Sequence, residues 1–216
     1  PTYVGDMLVL LNTLQAQAPI ATFDWVGTSM GGLIGMTLAG MPDLPLPAPL
    51  HRLVLNDVGP VIEWQALERI GQYLGKAGTF DSVEAAAARM REISAGFGPH
   101  SDEQWLALSR PMLRPVPGSG WRMHYDPAIA VPYGALTQQS AADGEAALWQ
   151  LYDRVQAETL VIRGADSDLL SPVTAQAMAA RGPRPRVVSF AGVGHAPTLV
   201  ADDQVATVLD FLLPAP

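Results

Sequence analysis

One serine stands in a context typical of a catalytic nucleophile. Ser29 lies in the segment GTSMG at 27–31, between a short β-favouring run at 21–26 and a helical pattern that begins at Met30. A Gly-x-Ser-x-Gly turn between a strand and a helix strains the serine backbone, and it requires near-absent side chains two residues to either side. The helix that follows points free N–H groups at a developing oxyanion, which makes the N–H of Met30 a candidate donor. The segment therefore predicts acyl transfer with Ser29 as the nucleophile.

A histidine suited to activate this serine follows the last predicted strand. A serine hydroxyl is a weak nucleophile until an adjacent base takes its proton. His195 lies in GVGHAP at 192–197, where flanking glycines let the loop approach its neighbours closely. We therefore expect His195 to be the base. The other histidines have no comparable setting, since one begins a strand and two lie in a predicted insertion: His51, His100 and His124.

Three aspartates are candidates for the acid that orients this histidine. Asp166 and Asp168 follow a predicted strand at 160–163, and Asp57 follows another at 52–55. The carboxyl ends of parallel strands are where sites assemble in open α/β sheets. Aspartate also forms turns and helix caps, so the residues alone leave all three open.

Short apolar strands alternate with helical patterns at both ends of the chain, which predicts a mostly parallel α/β sheet with helices on both faces. The middle of the chain is different: it predicts a helical insertion, with capping boxes at Asp81/Glu84 and Ser101/Gln104. We expect an α/β core from 1–60 and 146–216 and a helical cap from 61–145. The core elements are predicted at 3–16 (helix), 21–26 (strand), 30–40 (helix), 52–55 (strand), 146–155 (helix), 160–163 (strand), 172–180 (helix), 186–190 (strand) and 204–213 (helix).

Composition excludes several classes of protein. The 216 residues contain no cysteine, which removes disulfide frameworks, thiolate zinc sites and cysteine nucleophiles. With 13 Lys+Arg against 21 Asp+Glu, the chain lacks the basic excess of a nucleic-acid binder, and its net charge of −8 disfavours strongly anionic substrates. Neither a helical histidine pair nor a nucleotide-binding glycine loop occurs, so we expect no metal and no cofactor. No apolar run reaches the roughly 18 residues of a membrane span, and cytoplasm is the default location.

The order serine, aspartate, histidine, each after a successive strand, resembles that of the capped esterase/lipase-type α/β-hydrolases of proteobacteria. The resemblance covers essentially the whole chain. It implies a serine hydrolase that cleaves carboxylic esters or related acyl compounds, with a small-molecule acyl substrate. The family pattern of Gly, a few residues, Asp, an apolar pair and Pro selects Asp168 as the acid, with Asp166 and Asp57 as alternates. The matching segments are WVGTSMGGLIGM, RLVLNDVGP, YDPAIA, TLVIRGADSDLLSP and GVGHAP.

The resemblance also implies what the chain lacks. Such hydrolases carry four further strands before the helix predicted at 3–16, with a loop that supplies the second oxyanion donor. This chain begins Pro1-Thr2-Tyr3 and resembles the C-terminal portion of the fold. We therefore expect an apolar sheet edge that favours a homo-oligomer or a complementing N-terminal segment. The alternative function is a ligand-binding or regulatory member, or an inactive fragment, of the same fold.

Large side chains of the predicted cap have two interpretations. They could form the walls of an acyl pocket, or they could form the cap's own core, which is the interpretation we favour. They are Trp64, Trp105, Met112, Trp121 and Tyr125.

Overall fold

The computed structural model describes residues 2–76 and 78–213. Positions 1, 77 and 214–216, which the expected domain ranges include, lie outside the described residues. Single 3₁₀ turns occur at Ala95–Phe97, Arg110–Met112 and Pro127–Ile129. In chain order the other elements are α1 (Thr2–Gln17), β1 (Phe23–Thr28), α2 (Met30–Gly40), β2 (Leu50–Asn56), α3 (Trp64–Gly71), β3 (Thr79–Phe80), α4 (Val83–Ile93), α5 (Asp102–Ser109), β4 (Leu113–Val116), β5 (Gly120–Met123), α6 (Ala130–Gly134), α7 (Gln138–Asp153), β6 (Glu158–Gly164), α8 (Pro172–Ala180), β7 (Arg186–Phe190) and α9 (Asp202–Leu212).

The main sheet is parallel, in the strand order β1-β2-β6-β7. Its register aligns Thr28 with Asn56, and Asn56 with Ile162, so the neighbouring strands end at the same edge. The loops that follow them carry the serine, the aspartates and the histidine singled out by the sequence. The expectation of a mostly parallel α/β sheet is confirmed.

Helices cover both faces of this sheet because its central strands are apolar on both sides. Leu53 and Leu55 of β2 pack with the helices α2, α7 and α8, whereas Val54, between them, packs toward α9. Side chains of a strand alternate between its two faces, so these three buried residues belong to two separate clusters. The core is thus a sheet buried between two helical layers.

The insertion is not purely helical, which corrects one expectation. Within it β3, β5 and β4 form a small antiparallel sheet. These strands have two to four residues and are therefore too short to show the alternating pattern of a strand in the sequence. Strand β4 also includes Pro115, which disfavours a strand prediction. Helix α7 begins at Gln138 and so runs across the expected boundary at 145/146.

Capping in the insertion follows the sequence only in part. Ser101 and Gln104 form the expected capping box at the start of α5. Helix α4, however, is capped by Ser82, whose side chain accepts a hydrogen bond from the N–H of Ala85. The prediction at Asp81 was wrong by one residue, because serine and aspartate are nearly equivalent as N-caps.

One edge of the main sheet carries exposed apolar side chains. Strand β1 is an edge strand of this sheet, and Val26 on it is exposed. Helix α1 also exposes Val9, Leu10 and Leu14. Association through this edge stays a prediction.

Within 2–76 and 78–213, none of the helices has the length and hydropathy needed to cross a bilayer.

Candidate active site

Ser29 occupies a strained turn between β1 and α2. Its backbone angles, φ of 51° and ψ of −120°, lie outside the regions that residues other than glycine prefer. A Cβ on Gly27 would lie 2.4 Å from the backbone of Gly31, and a Cβ on Gly32 would lie 2.4 Å from Val58. A Cβ on Gly31 itself would meet open space, so steric closeness explains Gly27 and Gly32 but not the second glycine of the motif.

The imidazole of His195 lies between Ser29 and a carboxylate. Its Nε2 is 3.0 Å from the Oγ of Ser29, and its Nδ1 is 2.7 Å from Oδ2 of Asp57. An ionised carboxylate can only accept hydrogen bonds, so Nδ1 donates to Asp57 and Nε2 is free to accept the serine proton. The Asp57 side chain is fully buried and that of His195 is nearly so, which shields this chain of hydrogen bonds from water.

Asp57 is held by donors from two further residues. Its Oδ1 accepts from the N–H of Gly164 at 2.9 Å, and its Oδ2 accepts from the Oγ of Ser167 at 2.6 Å. A positive φ of 56° turns Asp57 out of β2, and its own N–H donates to Ile162 of β6. A buried carboxylate is costly unless it is hydrogen-bonded, and this one is satisfied at both oxygens.

The acid that the sequence favoured lies elsewhere, which corrects that expectation. Asp168 forms two hydrogen bonds with the guanidinium of Arg69 from α3, at 2.6 and 2.9 Å. The Arg69 hydrogen bond holds the pKa of Asp168 below its usual range, and the charge of Arg69 adds to the effect. Asp166 is exposed and its N–H donates to the carbonyl of Val193. Of the three candidate acids, the structure brings only Asp57 to the imidazole.

The loop that carries His195 is fastened to the end of β2 and to the insertion. Asn56 donates from Nδ2 to the carbonyl of Pro197 at 2.8 Å and to Thr28 at 2.9 Å, and its own carbonyl accepts from the N–H of Ser29. From the insertion, His100 contacts the hydroxyl of Thr198 at 2.7 Å. Asn56 therefore connects the segments that carry the serine, the aspartate and the histidine.

Two residues that contact this network, Asn56 and Ser167, were not predicted as site residues from the sequence. Asn56 precedes Asp57, and its place at a strand end was the available signal. Ser167 lies between Asp166 and Asp168, and a serine there gives no signal that distinguishes it from a turn residue. His100 contacts the His195 loop through Thr198, although its place in the insertion gave no indication of this contact.

Met30 is the first residue of α2. The N–H groups of the first helical turn have no acceptor within the helix. In α2 the carbonyl of Ser29 accepts hydrogen bonds from the N–H groups of Gly32 and Leu33, at 2.9 and 3.2 Å, and not from that of Met30. This leaves the N–H of Met30, next to the Ser29 side chain, as a candidate donor to an oxyanion.

A cavity of about 550 Å³ lies beside Asp168. Its lining includes the carboxylates of Glu63, Glu68 and Asp168 together with Trp64 and Gln138, so its wall is polar and acidic. No group of three His, Asp or Glu side chains within the described ranges is arranged to hold a metal ion.

The large side chains of the insertion have different surroundings. Trp64 lines the 550 Å³ cavity, and Tyr125 lines a smaller one of about 210 Å³. Trp105 is buried and stacks on Phe97, whereas Trp121 packs on the apolar cluster of the insertion. Met112 is exposed.

Comparison with known proteins gives a consistent result. The model of the Alpha/beta hydrolase family matches residues 2–208. A 3-hydroxybutyrate-oligomer hydrolase from Cupriavidus necator is 45% identical over 214 residues, which are 98% of this chain and 70% of that protein.

Solved structures agree with the family match. A crystal structure of an alpha/beta hydrolase from Novosphingobium aromaticivorans is 34% identical with a TM-score of 0.77, over 94% of this chain and 69% of that one. A Rickettsia typhi protein has a TM-score of 0.82 at 28% identity, over 100% of this chain and 69% of its own.

Proposed function

This chain belongs to the alpha/beta hydrolase family, and we propose that it is a serine hydrolase that cleaves carboxylic esters through Ser29, His195 and Asp57. One observation carries the proposal: a single imidazole lies within hydrogen-bonding distance of both the hydroxyl and the buried carboxylate. This is the arrangement in which a serine is activated by a base that a third group orients.

The geometry supports a two-step reaction. Ser29 Oγ attacks the ester carbonyl while Nε2 of His195 takes its proton, and the N–H of Met30 donates to the oxyanion. The tetrahedral intermediate collapses, the imidazolium returns the proton to the departing alcohol, and an acyl-enzyme remains. Water, deprotonated by the same imidazole, then hydrolyses the acyl-enzyme to the acid and restores Ser29. Asp57 keeps Nδ1 protonated and stabilises the imidazolium in both steps.

The relative's name supports a narrower substrate class. The Cupriavidus necator protein is described as a hydrolase of 3-hydroxybutyrate oligomers, which are short esters of an aliphatic hydroxy acid. We propose short hydroxy-acid esters as substrates, since the similarity covers 98% of this chain at 45% identity.

Replacement of the nucleophile tests the proposal. Ser29→Ala should reduce kcat for p-nitrophenyl butyrate and for the 3-hydroxybutyrate dimer by at least about a thousandfold, because no group replaces the attacking oxygen. Ser119→Ala is the matched control, since Ser119 is exposed in the turn between β4 and β5 and should leave kcat unchanged. A Ser29→Ala protein that retains wild-type turnover would refute the assignment.

A further inference from the structure

Ser167 contacts the far side of the carboxylate that holds the histidine. Its Oγ lies 2.6 Å from Oδ2 of Asp57, the same oxygen that faces Nδ1 of His195. Two backbone N–H groups, those of Leu169 and Leu170, donate to Oγ at 3.2 and 3.1 Å. One carboxylate oxygen is therefore shared between an imidazole and a hydroxyl.

The direction of the Ser167 hydrogen bond is determined by these neighbours. A hydroxyl has one proton and two acceptor lone pairs. The N–H groups of Leu169 and Leu170 occupy the acceptor sites, and a carboxylate can only accept. The hydroxyl proton must therefore point at Oδ2 of Asp57.

We propose that Ser167 is a positioning residue that sets how strongly Asp57 attracts the proton on His195. Its hydroxyl competes with the imidazole for one oxygen, so it withdraws negative charge from the face that meets Nδ1. Without that donor the carboxylate would stabilise the imidazolium more strongly. The neutral imidazole, which is the form that acts as base, would then persist only at higher pH. The inference rests on the proposed function, since it concerns the same triad.

The other charged groups near His195 have partners other than the Ser167 hydroxyl. From the insertion, Arg69 of α3 neutralises Asp168, and His100 contacts the His195 loop through Thr198. From the loop after β6, Asp166 is exposed to solvent and contacts that loop through its backbone N–H. Among these groups, the Ser167 hydroxyl bonds only Asp57, so Asp57 is where its removal acts directly on the pH profile.

The test is the pH dependence of kcat/KM for p-nitrophenyl butyrate. Ser167→Ala should move the midpoint of the acid limb upward by roughly half a unit to one unit, as expected when part of a charge-assisted hydrogen bond is lost. Well below the wild-type midpoint this shift is a three- to tenfold loss of kcat/KM. Ser167→Thr, which keeps the hydroxyl, should restore the wild-type limb.

A control separates this effect from simple loosening of the loop. Ser171→Ala removes the N-cap of α8 in the same segment without touching Asp57, so it should lower stability and leave the acid limb in place. If Ser167→Ala does not fold, Ser167→Cys, with its weaker S–H donor, should give a smaller shift in the same direction.

A spectroscopic measurement makes the test independent of turnover. The proton on Nδ1 of His195 should move further downfield in Ser167→Ala than in the wild type, because its hydrogen bond to Asp57 strengthens. An unmoved acid limb and an unmoved proton resonance would overturn the role of Ser167 while leaving ester hydrolysis intact. Absence of turnover in the wild type would instead refute the proposed function, and the resonance would still decide the role of Ser167.

Discussion

Two conservative substitutions, Asp57→Asn and Asp168→Asn, decide which aspartate serves the histidine. Asp57 is fully buried and its Oδ2 lies 2.7 Å from Nδ1 of His195. An amide there would present its NH₂ group and favour the wrong tautomer of the imidazole, a change that costs about 10⁴ in kcat in triads of this kind. Asp168 is bound to Arg69 with its side chain 44% exposed. An exposed ion pair contributes about 0.2–1 kcal/mol of free energy. Even if all of that energy were lost from the transition state, kcat would fall by no more than about fivefold.

The assay is steady-state hydrolysis of p-nitrophenyl butyrate by purified variants whose folding is checked by circular dichroism. We expect the kcat of Asp57→Asn to be about a thousandfold below that of Asp168→Asn, from the ratio of those two effects. A larger loss in Asp168→Asn than in Asp57→Asn would refute the reasoning, because it would mean that the carboxylate touching His195 is not the one that matters.

Three further predictions concern stability and substrate charge. Gly27→Ala should lower the free energy of unfolding, measured in urea, by about 1–3 kcal/mol, because its Cβ would lie 2.4 Å from the Gly31 backbone. Gly31→Ala is the control: its Cβ meets open space, so the free energy of unfolding should stay unchanged or rise by up to about 1 kcal/mol. Arg69 lowers the pKa of Asp168 in the folded state. The Arg69–Asp168 ion pair therefore stabilises the fold at pH values above the unfolded pKa of about 3.9, and this stabilisation is lost as the pH falls through the lower pKa of the folded state. The unfolding free energy of Asp168→Asn should therefore decline less steeply than that of the wild type below about pH 4. The net charge of −8 predicts that salt lowers KM for the anionic 3-hydroxybutyrate dimer and leaves KM for its methyl ester unchanged, and the opposite salt response would contradict it.

Local sequence signals predicted most elements of the core. Helix α8 begins and ends where expected because Ser171 caps it and Pro172 takes the first helical position. Strand β7 and helix α2 also match their expected bounds. In each case the signal lies within a few residues of the element it specifies, so no knowledge of distant contacts was needed.

The acid was different because it depends on contacts between distant residues. Asp57 and Asp168 both follow central parallel strands, so position alone does not separate them. Their surroundings do: Arg69 is 99 positions from Asp168, and His195 is 138 positions from Asp57. The family pattern around 164–172 selected Asp168, since it records sequence and not that this side chain binds an arginine instead of the histidine.

The small sheet of the insertion was also beyond sequence reasoning. The segment that forms β4 and β5 contains prolines at 115 and 117 and glycines at 118 and 120, which favour a loop. Trp121 nevertheless pairs with Phe80 of β3 and with Pro115 of β4, and its side chain packs on α4. Packing of this partly buried side chain stabilises strands too short to be recognised from their own residues.

The most direct test of the central claim is covalent labelling with a fluorophosphonate followed by peptide mass spectrometry. The account predicts an adduct on Ser29 in the wild type, no adduct in His195→Ala and much slower labelling in Asp57→Asn, since only a hydroxyl with an oriented base reacts readily. Folded wild-type protein that carries no adduct on Ser29, or His195→Ala that labels as fast as the wild type, would contradict it.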